Sequence, residues 1–339
     1  MNTCGRSFRV TTFGESHGAA IGAVIDGCPP NIPLSAETIQ PYLDKRRPGT
    51  SELVTPRKES DTVEILSGVF EGLTLGTPIA LLIRSESARS SDYDHLRDIY
   101  RPGHADRAYY EKYGVRDHRG GGRSSGRETA ARVGAGAVAA ICLGIKGIRV
   151  TAKIDEIHGN SNPEAFASEI KEARDRGDSV GGIISLIISG CPSGLGDPVF
   201  GKLDALLSSA LMSIGGVKGV EIGSGFGAAR MFGSEHNDAM TPEGYASNHA
   251  GGILGGISTG QDIIMRIAIK PTPSISSPQS TIDRFGASHS IRIEGRHDPC
   301  IVLRVVPVAE AMVSLVIMDT LLEQEKYGHH STDKSKWAK

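Results

Sequence analysis

Short apolar runs bounded by glycine and proline recur along the chain and predict β-strands, because turn residues typically delimit strands. The predicted strands are 8–13, 20–25, 63–66, 79–83, 182–188, 263–269 and 301–306. Helical periodicity appears between them, at 37–45, 126–143, 163–176, 202–214 and 308–326, the last ended by Gly328. This irregular mixture of strands and helices predicts an α+β fold.

Two segments share one spacing of glycine, hydroxyl and isoleucine positions, which indicates an internal duplication. At a constant offset, Gly68, Gly72, Thr74, Gly76, Ile79 and Ile83 match Gly252, Gly256, Ser258, Gly260, Ile263 and Ile267. A Gly-Cys-Pro triplet, at Gly27–Pro29 and at Gly190–Pro192, closes an apolar strand before a helical pattern in each half. We infer two related halves packed about a pseudo-twofold axis. A chance likeness of glycine-rich strands is the alternative.

The halves are not separated by a linker or a low-complexity stretch, so we predict one domain over residues 1–328. Residues 329–339 are polar and basic and are predicted to be a disordered tail. Glycine is abundant, with 43 residues, and aromatic residues make up only 5% of the chain. The interior must therefore be packed with small aliphatic side chains, and the backbone must make many close approaches.

Composition narrows the class of protein and its compartment. The chain has 339 residues and a formal charge of −2, from 37 Lys and Arg against 39 Asp and Glu. Five dispersed cysteines without a C-x-x-C pair fit buried thiols in a reducing compartment and argue against a disulfide framework or a zinc ribbon. There is no secretory signal pattern at the N-terminus, and apolar runs such as 183–188 are too short to cross a bilayer. We expect a cytoplasmic protein without a membrane partner.

A local cationic cluster stands out from this nearly neutral background. Seven arginines lie between Arg101 and Arg132, beside a triple glycine at 120–122. Ser125 and Glu128 have the capping-box pattern before an alanine-rich helix, which would place Arg123 and Ser124 at a helix N-terminus suited to phosphate. A small polyanionic ligand is favoured over nucleic acid. The alternatives are a solvated face, with Arg116 and Arg119 paired to Asp117 and Glu111, and an RGG-type RNA-binding tract.

Two histidines in predicted turns are candidates for proton transfer. Residues 14–18 match the G-x-S-x-G pattern of serine hydrolases, which makes hydrolysis at Ser16 a rival hypothesis. The following run, 19–25, predicts a second strand where a nucleophile elbow needs a helix, so His17 is the residue of greater interest. His104 precedes the arginine cluster, where a nearby phosphate would raise the pKa of His104 and favour general acid catalysis.

A third region has few side chains and suits a planar ligand. Residues 248–256 are rich in glycine, and the following Lys270–Ser274 segment is extended and rigid because of its prolines. Backbone of this kind can approach a flat ring such as a flavin. A Rossmann glycine motif with an acidic partner is missing, so a dinucleotide fold is not expected.

Together these motifs closely resemble the chorismate synthase family over residues 6–325. The resemblance rests on 14–18, 46–49, 101–106, 120–128, 248–256, 270–274 and 296–300. It implies conversion of 5-enolpyruvylshikimate 3-phosphate to chorismate and phosphate, a 1,4-anti elimination that needs reduced FMN without net redox change. It also implies a homotetramer of β-α-β sandwich subunits with helices packed between antiparallel sheets.

The resemblance also implies roles for individual residues and no metal. His17 would protonate the departing phosphate, His104 would stabilise or protonate the reduced flavin, and Asp298 would support proton movement beside it. Substrate anions would be held by Arg46, Arg101 and Arg127. FMN would be contacted by Arg123, Ser124, Ser125, Gly215, Gly216, Gly255, Lys270, Pro271, Thr272, Pro273, Ser274 and Arg296.

Two positions depart from the family pattern. Ser213 precedes Gly215 and Gly216 where other residues are usual, so flavin contact there rests on the backbone alone. Glu52 occupies a site that is often basic, which weakens the case for an NADPH site. The source of reduced flavin is left open by the sequence.

Overall fold

The computed structural model describes residues 1–49, 59–85, 90–293 and 298–327. The α-helices are α1 (Ala36–Arg46), α2 (Asp106–Tyr113), α3 (Thr129–Ile145), α4 (Phe166–Asp175), α5 (Leu203–Met212), α6 (Gly233–His236) and α7 (Val302–Glu325). The first group of strands is β1 (Thr3–Cys4), β2 (Arg9–Phe13), β3 (Ala20–Asp26), β4 (Val63–Ser67), β5 (Val69–Phe70), β6 (Leu73–Thr74) and β7 (Ile79–Arg84). The later strands are β8 (Arg149–Ile157), β9 (Gly182–Ser189), β10 (Val217–Ile222), β11 (Met240–Thr241), β12 (Gly244–Tyr245), β13 (Ile253–Leu254), β14 (Ile257–Ser258), β15 (Ile263–Ile269), β16 (Gln279–Ile282) and β17 (Ser288–Ile291).

Two antiparallel sheets form the outer layers of the molecule. The first has the strand order β1-β2-β3-β7-β4 and the second the order β10-β15-β9-β8. Alternate residues of β15 are buried, at Ile263, Met265, Ile267 and Ile269, which is the period expected of a strand with one covered face. The glycine-bounded apolar runs therefore form strands because each covers the core with one face.

Helices fill the space between the sheets. Helix α3 packs against β2, β3 and β7, α7 packs against β8 and β9, and the two helices pack against each other. Gly136 lies at their crossing, where a Cβ atom would come within 2.4 Å of Cβ of Ala311. This close approach explains why α3 is rich in alanine and glycine. The mixed helix and sheet arrangement agrees with the predicted α+β class.

The two sheets contain similar local structures at the sequence positions that share one spacing. Strand order β2-β3-β7-β4 in one sheet corresponds to β8-β9-β15-β10 in the other. Thr74 donates its hydroxyl to the carbonyl of Pro29 at 2.7 Å, and Ser258 donates its hydroxyl to the carbonyl of Pro192 at 2.6 Å. These equivalent contacts support the duplication inferred from the spacing of the sequence.

One predicted strand is wrong. Ile301 is the N-cap of α7, and residues 302–306 are its first helical residues; the helix continues through Pro307 to Glu325. The β-branched run and the proline favour a strand locally, but burial of Val302, Val305 and Val308 between the layers stabilises the helix instead. Strands β8 and β10 and helix α2 were not predicted. Gly328 and the predicted tail at 329–339 lie outside the described residues.

Length and hydropathy alone would allow the helical stretch Gly126–Ile145 and helix α7 to span a membrane. In the fold, 72% and 78% of their most apolar windows are buried inside the protein. The expectation that apolar runs are too short to cross a bilayer is therefore wrong for these two helices. Their high hydropathy reflects their central position between the two sheets. Four of the five cysteines are buried as expected, but Cys4 is exposed.

Candidate active site

The 14–18 segment forms a tight turn between β2 and β3. Gly14 has φ +90° and its missing side chain leaves room for the backbone of Ala20 and Ile21. Because a strand follows this turn, the strand–turn–helix context of a hydrolase elbow is not present, as the sequence indicated. Ser16 is 1% exposed, which further disfavours it as a nucleophile.

The triple glycine forms a loop that brings the two candidate histidines together. Gly120 and Gly121 have φ of +63° and +86°, a region that glycine enters without steric cost. A Cβ at Gly120 would lie 2.3 Å from Cε1 of His17, and one at Gly121 would lie 2.7 Å from Cε1 of His104. Both rings therefore contact adjacent residues of one loop. The ring of Tyr93 packs edge-on against His17, with centroids 4.9 Å apart.

His104 is buried in a cationic environment. Burial and the neighbouring Arg101 lower the pKa of His104 to about 4. Nδ1 of His104 lies 3.2 Å from Nη2 of Arg101 and 3.1 Å from the backbone nitrogen of Ala105. With these neighbours His104 is neutral near pH 7. The raised pKa expected beside a bound phosphate stays a prediction.

Asp106, at the start of α2, organises the arginines around His104. It binds the Arg101 side chain through two contacts of 2.8 Å and lies 3.4 Å from Nη1 of Arg116. Nη2 of Arg116 donates to the carbonyls of residues 96, 97 and 99. Arg116 thus has a structural role. Arg119 pairs with Asp117, as expected under the alternative in which these arginines lie on a solvated face.

The segment Lys270–Ser274 lies against the loop that carries His104. Nζ of Lys270 donates to the carbonyl of Gly103 at 2.8 Å. The backbone N–H of Lys270 donates to the carbonyl of Gly216 at 2.9 Å. Oγ1 of Thr272 is buried and has no hydrogen-bond partner among the described residues. A buried hydroxyl in this condition indicates a missing polar ligand or water.

The start of the α3 region connects this loop to the first sheet. Arg123 donates to Oγ1 of Thr12 at 2.7 Å and to the carbonyl of Gly14 at 3.2 Å. Ser124 donates its hydroxyl to the carbonyl of Gly121 at 2.7 Å. These contacts place both predicted phosphate-binding residues beside the glycine loop.

Ser125 caps the short 3-10 turn Gly126–Glu128 that precedes α3. Oγ of Ser125 accepts from the backbone N–H of Arg127 at 3.3 Å. Glu128 pairs with Arg132 at 3.0 Å, and the N–H of Ser125 donates to the carbonyl of Gly122. The predicted capping box is therefore only half formed, because the cationic neighbour attracts the glutamate.

Arg46 and Arg127 share a buried carboxylate. Asp61 binds Nη1 of Arg46 at 2.7 Å and also binds Nη1 of Arg127. Burial alone would raise the pKa of Asp61, but the two arginines hold it below its usual range. Side chains of Arg46 and Asp61 are 1% and 0% exposed, so the described contacts of this pair are internal. Binding of substrate by Arg46 and Arg127 stays a prediction.

Asp298 belongs to the same network through another arginine. Arg304 of α7 donates to Asp298 at 2.6 Å and to the carbonyl of Arg46 at 3.3 Å. Arg127 also lies 3.7 Å from Glu59. Among the described residues, three arginines (Arg46, Arg127 and Arg304) thus pair with three carboxylates (Asp61, Asp298 and Glu59).

One predicted cofactor contact, Gly255, lies away from this cluster. Gly255 lies in the β13–β14 turn at the beginning of β15, whereas Lys270 follows the end of that strand, about 20 Å away at 3.3 Å per residue. Arg296 and Glu52 lie outside the described residues. Within the described ranges, metal binding by three or more His, Cys, Asp or Glu side chains is not indicated.

The sequence missed several residues that shape the site. Asp61, Asp106, Tyr93 and Arg304 each contact a predicted site residue. Only Asp106 had a usable signal, since it closes the turn motif that contains His104. The others are far in sequence from their partners and follow no spacing rule.

These features define an α+β sandwich protein in which two histidines and several arginines meet on a glycine loop. A family model described as "Chorismate synthase" matches residues 8–322. Chorismate synthase of Syntrophobacter fumaroxidans (strain DSM 10017 / MPOB) is 57% identical, with 94% of this chain and 96% of the relative covered. Chorismate synthase of Syntrophus aciditrophicus (strain SB) is 55% identical, with 96% and 98% covered. The chain belongs to the chorismate synthase family.

A solved structure supports the same relationship. The "Crystal Structure of Chorismate Synthase" superposes with a TM-score of 0.75 at 32% sequence identity. The match covers 98% of this chain and 96% of that chain. The architecture described above is therefore similar to that of a solved member over almost its whole length.

Proposed function

We propose that the protein is a lyase that converts 5-enolpyruvylshikimate 3-phosphate to chorismate and phosphate by a 1,4-anti elimination requiring reduced FMN. Its family membership over 8–322 supports this activity. The reaction belongs to aromatic amino acid biosynthesis through the shikimate pathway. The substrate carries two carboxylates and a phosphate, which a cationic site would attract.

The observation that carries the proposal is the convergence of His17 and His104 on the glycine loop. The strongest charges acting on His104 come from Arg101, Lys270 and Arg116 against the single carboxylate of Asp106. This excess of positive charge favours an anion, and the histidines offer proton transfer or hydrogen-bond donation beside it. His17 would protonate the leaving phosphate and Arg101 would hold a substrate anion.

The residues around His104 fit a flavin. The buried hydroxyl of Thr272, which has no hydrogen-bond partner among the described residues, suits a ligand with polar edges. FMN would be held by Arg123, Ser124, Ser125, Gly215, Gly216 and the segment Lys270–Ser274. Reduced FMN, when bound, would lend an electron and regain it as product forms, without net redox change.

Other roles implied by the family resemblance remain proposals. Arg46 and Arg127 would bind substrate, and Asp298 would support proton movement near the flavin. Asp61 already pairs with Arg46 and Arg127, and Arg304 already pairs with Asp298. Direct contact with substrate or flavin would require these ion pairs to rearrange. Without rearrangement, the three residues would act through the ion-pair network. Gly255 and Arg296 would complete the FMN contacts.

We further propose a single domain with two halves related by a pseudo-twofold axis. The equivalent hydrogen bonds at Thr74 and Ser258 support this relationship. Superposition of the β3–β7 and β9–β15 regions with their hairpins would test it, and unrelated strand paths would refute it.

We also propose a cytoplasmic homotetramer, supported by exposed large apolar side chains such as Phe200, Phe226 and Phe232.

An anaerobic assay with 5-enolpyruvylshikimate 3-phosphate tests the proposed function. We expect no product with oxidised FMN, and many turnovers per flavin after dithionite is added. Chorismate and phosphate should be released in equal amounts, and substrate should strengthen flavin binding. Full turnover with oxidised FMN, or one flavin oxidised per product, would contradict the proposal.

The two histidines should be essential to that activity. We expect His17→Ala and His104→Ala each to lower kcat by about a hundredfold or more, the scale of a lost acid-base group. Saturating reduced FMN during the measurement separates this effect from weaker cofactor binding. Turnover close to that of the wild type in both variants would remove the histidines from the mechanism.

A further inference from the structure

Two hydrogen-bond donors meet at one nitrogen of His104. The backbone N–H of Ala105 lies 3.1 Å from Nδ1, and Nη2 of Arg101 lies 3.2 Å from the same atom. An amide N–H and a guanidinium can only donate, so Nδ1 has to accept and has no room for a proton of its own. The neutral ring then carries its proton on Nε2.

Asp106 fixes the guanidinium that makes one of these contacts. Its Oδ2 accepts from Nε of Arg101 and its Oδ1 accepts from Nη2, both at 2.8 Å. Oδ2 also accepts from the backbone N–H of Arg101 at 3.1 Å. The side chains of Arg101 and Asp106 are 4% and 2% exposed, so a rotation of Arg101 would leave a buried carboxylate without its main partner.

The surrounding charges oppose a second proton on the ring. Arg101, Lys270 and Arg116 are the cations that act on His104, and Asp106 is the carboxylate that partly offsets them. Arg116 is itself held by three backbone carbonyls and lies against the ring of Tyr100, 5.5 Å from its centroid. Arg101, Asp106 and Arg116 of this frame are therefore buried and held by several contacts each, whereas Lys270 is only partly buried.

We propose that Asp106 is a positioning residue that acts through Arg101 to hold His104 as the neutral tautomer with its proton on Nε2. In this form the ring donates a hydrogen bond from Nε2 to an electron-rich or negatively charged ligand atom. Donation from a neutral ring favours stabilisation of such an atom over transfer of a proton from an imidazolium. The proposal rests on the proposed function only in assuming that His104 contacts the ligands of that reaction.

The tautomer can be read directly from the holoenzyme without measuring turnover. Solid-state 15N NMR of histidine-labelled protein at pH 7 distinguishes protonated from unprotonated ring nitrogens, and His104→Gln identifies the His104 signals by their loss. We expect a protonated Nε2 and an unprotonated Nδ1. A proton on Nδ1 in the wild-type protein would overturn the proposal, whether or not the enzyme makes chorismate.

Asp106→Asn tests the positioning role. An asparagine retains one acceptor but directs an NH2 group at a guanidinium, so Arg101 should move away from Nδ1. We expect a mixture of the two tautomers and a fall in kcat of about tenfold or more, as for other groups that orient a functional histidine. An unchanged tautomer and unchanged kcat would contradict the role.

Asp117→Asn is a matched control for loss of an arginine-bound aspartate. Asp117 binds the backbone N–H, Nε and Nη2 of Arg119 at 3.0, 2.8 and 2.9 Å, the same three groups that Asp106 binds on Arg101. Because this pair is partly exposed and does not support His104, we expect kcat within about twofold of the wild type.

If Asp106→Asn does not fold, Arg101→Lys keeps the charge and removes the Nη2 contact. It should shift the same NMR signals, and unchanged signals would contradict the proposal.

Discussion

At the scale of single residues, burial makes His104 a source of pH-dependent stability. The pKa of His104 is about 4 in the folded protein, against about 6.5 in an unfolded chain. Between these values the unfolded state binds a proton that the folded state excludes. The free energy of unfolding should therefore fall as the pH drops from 6.5 to 4, by up to about 3 kcal/mol from this residue.

Urea unfolding of the wild type and of His104→Gln at pH 7 and at pH 4.5 measures this contribution. Carboxylates titrate in the same range, so only the difference between the two proteins is informative. We expect the wild type to lose more stability on acidification than the variant does. An equal loss in both proteins would show that His104 does not contribute.

Asp61 provides a second test at this scale, because it is the buried counter-ion of two arginines. Its φ is +47°, a conformation that asparagine also tolerates, so Asp61→Asn changes the charge with little change in the backbone. We expect a loss of about 3–5 kcal/mol in the free energy of unfolding, since Arg46 and Arg127 remain buried with weaker compensation.

Asp26→Asn is the control for Asp61→Asn. Asp26 binds Arg9 at an exposed position, where an ion pair contributes about 0–1 kcal/mol. Unfolding should therefore be almost unchanged in this variant. Similar small effects at both positions would mean that the Asp61 network is not a major source of stability.

At the scale of elements, the contact between α3 and α7 depends on the absence of one side chain. A Cβ at Gly136 would lie 2.4 Å from Cβ and 2.6 Å from Cα of Ala311, so the helices would have to separate. We expect Gly136→Ala to lower the free energy of unfolding by about 1–3 kcal/mol, the usual cost of overpacking. Thermal unfolding followed by circular dichroism measures the change.

Gly144→Ala separates this packing effect from the effect of alanine on helix propensity. Gly144 lies in the same helix, and apart from its chain neighbours and the nearby backbone of the helix, no described atom comes within 4 Å of a Cβ placed there. Alanine should therefore be neutral or stabilising by up to about 1 kcal/mol. Equal changes at the two positions would contradict the close-packing explanation.

The same elements show which parts of the fold could be predicted from sequence. The apolar run of β15 was predicted at 263–269 because six of its seven residues are apolar and turns bound the run. Helix α2 was missed because Asp106 is its one buried residue, so it has no apolar stripe. Helix α7 was shortened because its first turns are β-branched, and only tertiary burial overrides that local preference.

The candidate site was predictable in its chemistry and much less so in its geometry. His17, His104 and the arginines were found from motifs, but their convergence depends on a glycine loop more than 100 residues from His17 in sequence. The pairing of Arg46 and Arg127 with Asp61 depends on three separate segments. Such contacts arise from the assembled fold and leave no periodic signal.

At the scale of the whole molecule, the C-terminal helix ties the N-terminal segment to the second half of the chain. Oδ1 of Asp319 accepts the backbone N–H groups of Arg6, Ser7 and Phe8 at 2.7–2.8 Å. Phe8 is 1% exposed and precedes β2, which leads directly to the turn of His17. Formation of the site therefore depends on contacts between the two ends of the chain.

The exposed apolar side chains suggest that the single chain is not the complete assembly. Phe226, Phe232 and Met240 lie within one irregular region, and their exposures are 76%, 77% and 77%. Large exposed apolar patches mark protein–protein interaction sites, and burial of these side chains would stabilise an oligomer. We expect sedimentation velocity to show a tetramer at micromolar concentration.

A double variant tests whether this region contributes to the assembly. Phe226→Ser with Phe232→Ser removes two large apolar contacts, each worth about 1.5–3 kcal/mol when fully buried, and should shift the protein toward smaller species. Ile145→Ser, at the exposed end of α3, controls for loss of an apolar side chain elsewhere and should leave the tetramer intact. A wild-type monomer would refute the tetramer. An unchanged tetramer in the double variant would place the interface on another surface.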